Sequence, residues 1–212
     1  MFKSKAALAV LLPLAIAGCS RDGEITGTGI TVTRSACPAF GIPAATGDVT
    51  IFDPETSRAS TAIDVVANIT NVRGTCNETG DQIASNVTFD VQAQRRNTQG
   101  ARDVTLPFFA TVVQGGTNVV SKSVGQVTLR FADGQARAST NSSAASQIAR
   151  SAVTLPDDVR RQITRQRKPG DPDAAVDPLA DPTVRDAVRA ASFEVLVGFQ
   201  LTPEQLAYNA TR

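Results

Sequence analysis

From residue 29 onward, apolar and polar positions alternate with period two over one short stretch after another, the pattern of strands with one wet face. It is clearest where Val87, Phe89, Val91 and Ala93 are separated by Thr88, Asp90, Gln92 and Gln94. Thr61–Val72 puts Ile63, Val65, Ala67 and Ile69 on one face and Asp64, Asn68 and Thr70 on the other. Shorter strands are predicted at Gly29–Arg34 and Asp48–Phe52, with a Pro/Gly loop containing Cys37 between them. Val104–Val113 follows, and its Pro107 points to an edge or a bulge. Gln114-Gly115-Gly116-Thr117 turns the chain into Asn118–Val124. Gln126–Phe131 alternates again, and Asp133-Gly134 predicts a hairpin turn into Gln135–Thr140. Strands this short, with turn signals between them, predict a mainly β chain folded as an antiparallel β-sandwich, immunoglobulin-like or related.

The period then changes. Ser142–Val153 fits a helix stripe through Ala144, Ala145, Ile148, Ala149 and Ala152, but is read as a weak strand because it continues a hairpin. Pro156–Arg167 predicts a helix, with Thr154 as its cap, Asp157 and Asp158 in its first turn, and Val159 and Ile163 as its apolar face. Lys168–Asp181, punctuated by prolines, reads as an extended linker. Asp181 caps a short helix that begins at Pro182 and runs to about Ala190. Ser192–Leu201 is nearly continuous apolar sequence, as expected of a central strand covered on both sides. Thr202-Pro203-Glu204-Gln205 is a capping-box start for a last helix through Tyr208. The helical excursion near residues 156–190 therefore returns a strand to the sheet. Residues 29–212 form one predicted sandwich domain with a helical and linker insertion at 154–190.

Ahead of the strands, Lys3 and Lys5 precede an apolar run from Ala6 to Ala17, too short for a permanent membrane span. It ends in Leu14-Ala15-Ile16-Ala17-Gly18-Cys19. This order of basic, apolar and small residues before Cys resembles a bacterial lipobox. The resemblance implies a signal peptide at 1–18, diacylglycerol on the Cys19 sulfur, cleavage before Cys19, and a third acyl chain on the freed amine. Ser20 at the next position implies transfer to the outer membrane. Residues 19–28, polar and Gly-punctuated, read as a flexible tether facing the periplasm. The ending SFEVLVGFQLTPEQLAYNATR resembles the tail of small Gram-negative envelope lipoproteins of unknown function, and the likeness brings no activity with it.

Cleavage there removes two of the 21 basic residues and none of the 20 acidic ones, so the mature chain carries a formal charge of −1. That balance argues against nucleic acid as a partner. Cys37 and Cys76 remain, and an even pair in an oxidising compartment is expected to bridge; in the chain-entropy model such a loop contributes about 4 kcal/mol. A reactive thiol is disfavoured, since neither Cys lies in a CxxC pair. Asn68, Asn77, Asn86, Asn141 and Asn209 begin Asn-x-Ser/Thr triplets. In a bacterial chain these reflect solvated strands and turns rather than glycosylation.

The chain has no His, which removes the Ser–His–Asp and Cys–His arrangements and the common zinc sites. Ser121-Lys122-Ser123 fails as a Ser/Lys dyad, because adjacent strand residues face opposite ways. Carboxylate chemistry needs no His; Asp64, Asp90 and Glu194 are the candidate acids, with Glu194 expected to pair with an Arg of its sheet. The absence of Trp, and a single Tyr208, remove the usual sugar platforms. Asp171, Asp173 and Asp177 form an incomplete calcium pattern in a proline-rich linker, so no metal and no cofactor is expected. Arg160, Arg161, Arg165, Arg167 and Lys168 make a basic cluster that either docks an anionic partner, such as lipid headgroups, or neutralises the acidic linker beside it. Three functions fit: a non-catalytic accessory or interaction module held on the membrane by Cys19 with an envelope protein as partner, a binding module for a small apolar or lipid ligand between the sheets, and a carboxylate-dependent hydrolase.

Overall fold

The computed structural model describes residues 35–165, 167 and 170–211, together with the backbone of 25–26 and 29–30. In chain order the strands are β1 (Ile25–Thr26), β2 (Gly29–Ile30), β3 (Ala39–Gly41), β4 (Asp48–Phe52), β5 (Ile63–Asn77), β6 (Gln82–Arg95), β7 (Arg102–Gln114), β8 (Asn118–Phe131) and β9 (Arg137–Ala149). Helices α1 (Arg150–Val153), α2 (Asp157–Thr164) and α3 (Pro182–Ala190) follow, then β10 (Phe193–Phe199) and α4 (Pro203–Thr211). Two four-stranded sheets, ordered β3-β10-β7-β8 and β4-β5-β6-β9, stack as a sandwich. Every pairing within them is antiparallel except β3 with β10, which is parallel.

Period-two alternation decides which side chains meet in the middle. On β6, Ile83, Ser85, Val87, Phe89, Val91 and Ala93 are buried, and the residues alternating with them face out. β7 contributes Val104, Leu106, Phe108, Ala110 and Val112 from the opposite sheet, and β10 adds Phe193, Val195, Val197 and Phe199. Phe89 and Phe108 meet edge to face across the sandwich, with ring centroids 5.1 Å apart. A second, smaller cluster joins Leu155, Val159, Val184 and Ala191, so the helical excursion packs on itself through the face that Val159 and Ile163 define.

Several elements differ from the sequence expectation. The predicted strand Gly29–Arg34 lies mostly outside the described residues; its first part, Gly29–Ile30, pairs with Ile25–Thr26 in a small ladder of its own. Ala39–Gly41, read as loop, is an edge strand held by β10. β5 continues past Val72 to Asn77, because the break in its alternation is a bulge and not an end: Asn71 adopts a positive φ of 52° and the register shifts between Thr70 and Arg73. Gly125 does not divide β8; it leaves room for Phe108, whose Cζ would lie 2.5 Å from a Cβ placed there.

Pro107 sits in an interior strand rather than at an edge. Its carbonyl accepts from Gln200 N–H at 2.9 Å, so its ring nitrogen also faces the β10 side, one residue beyond the end of that strand. The missing donor therefore affects only the last rung of that ladder. Asp133-Gly134 is a turn but not a hairpin, since β8 and β9 belong to different sheets and the chain crosses between them there. Ser142–Ala149 is strand as expected, although it pairs with β6 rather than continuing a hairpin, and only Arg150–Val153 turns helical. Thr154 does not cap α2; its hydroxyl donates to the Arg150 carbonyl and closes α1 instead. Asp181 does cap α3, accepting from Thr183 N–H, and Thr202 and Gln205 form the reciprocal capping box of α4.

The Cys37–Cys76 disulfide forms, with Cα atoms 5.9 Å apart. It ties the approach to β3, in one sheet, to the end of β5 in the other. Beside it Phe40 lies against Gly74, where an added Cβ would clash with the ring. Gly74→Ala is expected to cost about 1–3 kcal/mol by overpacking. The double variant Gly74→Ala/Phe40→Leu should be more stable than Gly74→Ala alone. Denaturant unfolding of the oxidised proteins measures both, and strict additivity of the two single changes would disprove the contact.

Candidate functional site

The three candidate acids do not assemble. Asp64 is drawn to the end of the sandwich, where both its oxygens accept from Arg102 of the opposite sheet at 2.7 and 2.9 Å. Its side chain is only 12% exposed, so the wet-face position expected for it is corrected: it bridges the sheets. Asp90 accepts from the Asn71 side chain, which in turn accepts from Arg73, and all three support the β5 bulge. Glu194 lies on the other sheet, in register with Ala39 and Val113. The described residues show no Arg paired with it, against the expectation of such a partner; the register places no cation opposite it. These acids are therefore not poised to act on one bond.

The basic cluster is divided in the same way. Arg160 pairs with Asp157 one turn earlier on α2, at 2.7 Å. Arg165 and Arg167 converge on Asp173 of the linker. Arg161 faces solvent, and Lys168 lies outside the described residues. Helix and linker thus satisfy each other, as mixed surface charge usually does. The aspartates of the linker are committed elsewhere too: Asp173 to two arginines, and Asp177 to the Leu179 amide of a short 3-10 turn. On β8, Lys122 folds over the Phe109 ring at 4.9 Å while Ser123 reaches the Ala110 carbonyl, so the dyad is not formed.

Of the Asn-x-Ser/Thr positions, Asn68, Asn77, Asn86 and Asn141 all stand exposed on the outer face of the second sheet, a solvated face as expected. Asn209 behaves differently. Its amide donates to the carbonyls of Ala45 and Asp48 at 3.0 and 2.8 Å and fastens α4 beside β4. Nothing in the local sequence signals that role.

That docking creates the feature sequence reasoning missed. Between α4 and the segment following β4 lies an open cleft of about 500 Å³. Phe52 and Tyr208 form part of its wall, meeting edge to face with centroids 5.2 Å apart. Arg58 stacks over Phe52 at 5.0 Å and donates to the carbonyls of Glu55 and Ser57. Glu55 and Glu204 complete the polar side. The Glu204 carboxyl is held below the ordinary carboxylate range, first by its own backbone N–H at the start of α4, then by the Thr202 hydroxyl, with a contribution from the charge of Arg58. A general acid needs the opposite shift, so Glu204 is not suited to that role. The residues sit more than a hundred positions apart in the sequence, and of them only the lone Tyr208 and the capping box stood out.

At the far end of β5, Glu78 lies beside the disulfide. The sulfurs of Cys37 and Cys76 are bonded to each other and so are not available as metal ligands. The Ser35 hydroxyl donates to Glu78 at 2.7 Å, and this bond, with the amides of Cys37 and Ala36 and the charge of Arg150, lowers its pKa. No known protein family, curated protein or solved structure matches the chain.

A lowered folded-state pKa gives stability that is present above the unfolded value and lost as pH falls through the folded one. Glu78 should therefore stay ionised further into acid than an ordinary Glu. Ser35→Ala should move its midpoint upward in an NMR titration from neutral to about pH 3. An unchanged midpoint would show that Ser35 does not set it.

Proposed function

We propose that this chain is a lipid-anchored, periplasm-facing protein of the bacterial outer membrane whose sandwich is a non-catalytic accessory or interaction module. The anchor and the address rest on Leu14–Cys19 and Ser20. A disulfide between Cys37 and Cys76 suits an oxidising compartment, and no helix among the described residues is long and apolar enough to cross a membrane.

The observation that carries the interaction reading is the first half of β8. β8 is an edge of its sheet, and Asn118–Val124 is exposed along its whole length. Val119, Val120 and Val124 are 59, 53 and 60% exposed there. An edge that presents unpaired backbone groups next to apolar side chains is a template for strand addition. The occupant that fits is an extended segment of another envelope protein, hydrogen-bonded to β8. A ligand held between the sheets has less support, because Phe89, Phe108, Phe131 and Phe199 fill that space. Hydrolysis has less support again, since Asp64, Asp90 and Glu194 are dispersed.

Two experiments test this. In a bacterial host, the wild-type chain should incorporate labelled palmitate and fractionate with membranes, and Cys19→Ser should do neither. A Cys19→Ser protein that stayed with the membrane would remove the anchor from the proposal. Crosslinking of the anchored protein in intact cells should yield a discrete adduct. Val120→Lys and Val124→Lys should abolish that adduct while leaving the thermal midpoint within a few degrees of wild type. An adduct that survives both substitutions would rule out the β8 edge.

A further inference from the structure

The cleft between α4 and the β4 end carries a recognition pattern that the interaction reading does not use. It holds one cation and two carboxylates around an aromatic wall. Arg58 is fixed in place by Phe52 beneath it and by the carbonyls of Glu55 and Ser57, so its polar contacts are with backbone oxygens and not with either carboxylate. Its charge nevertheless reaches Glu204 through space. Glu204 is kept ionised by its own amide and by Thr202 rather than by an ion pair. One cleft is thus lined by opposite charges that form no ion pair with each other. Its volume of about 500 Å³ falls within the range of small-molecule sites.

We propose that this cleft binds a small zwitterion with an apolar body, of the class of short peptides with free ends. The ammonium group lies toward Glu204 and Glu55, the carboxylate lies on the outer edge of the Arg58 guanidinium, and the side chain rests against Tyr208 and Ile51. Each charge of the ligand replaces water around an opposite charge of the cleft, and the presence of both signs in one cleft favours molecules that carry both. The apolar wall contributes by area and tolerates different side chains, so selectivity falls on the two ends.

The test is calorimetric titration of the full chain, purified in detergent, with the dipeptide alanyl-phenylalanine. Two analogues each lack one charge: the N-acetyl form and the C-terminal amide. The dipeptide should bind, and each analogue should bind at least about tenfold more weakly. Arg58→Gln should weaken the dipeptide but leave the amide unchanged, because the amide has already lost the group that Arg58 reads. Glu204→Gln should weaken the dipeptide but leave the acetylated form unchanged. No heat of binding up to about 10 mM, well beyond the weakest specific affinities, would overturn the proposal. So would analogues that bind as well as the dipeptide. If a variant fails to fold, the three ligands on the wild-type protein decide the question alone.

Discussion

One buried arginine holds two of the passages between the sheets. Arg95 ends β6 and is 2% exposed. Its guanidinium donates to the carbonyls of Thr98, Ala132 and Gln135 at 2.8–2.9 Å and lies 5.2 Å from the Phe131 ring centroid. Thr98 belongs to the loop that carries the chain from β6 to β7, and Ala132 and Gln135 to the turn from β8 to β9. Both are crossings from one sheet to the other. A buried cation is costly unless its donors are satisfied, and here backbone oxygens satisfy them where a carboxylate is usually needed. Two of those oxygens also accept backbone amides, Thr98 from Gly134 and Ala132 from Gln135, so the guanidinium adds to bonds the loops already make. The arrangement thus joins both crossings through one side chain.

The rest of the sandwich is arranged around that clamp. Asp64 and Arg102 join the sheets at the same end, as a bidentate pair from β5 and β7. At the other end of β5 the link is covalent, through Cys37 and Cys76, with Phe40 seated on Gly74. With both ends tied, the sides can differ. On the side of β4, α4 is fastened by Asn209 and shapes a charged cleft. On the side of β8, the first half of the strand stays bare. Charged side chains here serve the structure: Asp90 steadies a bulge, and Asp173 pairs with two arginines.

Most of the sandwich was legible in the sequence because burial imposes period two on every strand that faces the core. β6 reads directly from Val87 to Ala93, and β10 from its nearly unbroken apolar run. The alternation also shows where reading by hydrophobicity stops short: Ser85 and Arg95 occupy inner-face positions of β6 in register with Val87 and Ala93, yet neither is apolar. Bulges and tight contacts mislead in the same way. Asn71 interrupts the pattern without ending β5, and Gly125 looks like a break because the residue it accommodates, Phe108, is distant in the chain. β3, with three residues, has too little pattern to read and depends on β10 for its pairing. The cleft was not legible because its residues come from two segments that only the docking of α4 brings together.

The placement of the disulfide has a mechanical consequence. Its two cysteines are 39 positions apart, so β3, β4 and nearly all of β5 lie inside one covalent loop. Tension applied to the chain ahead of Cys37, where a lipid on Cys19 would pull, passes through the sulfur bridge to Cys76 and bypasses that loop. The three-residue β3 is the element most easily peeled from a sheet, and it carries none of the load. Force arrives instead at the β5–β6 hairpin, where β6 is paired along its length with both β5 and β9. A sandwich tugged from its amino-terminal side is in this way gripped by two long ladders, and the short β3 is shielded while the bridge is intact.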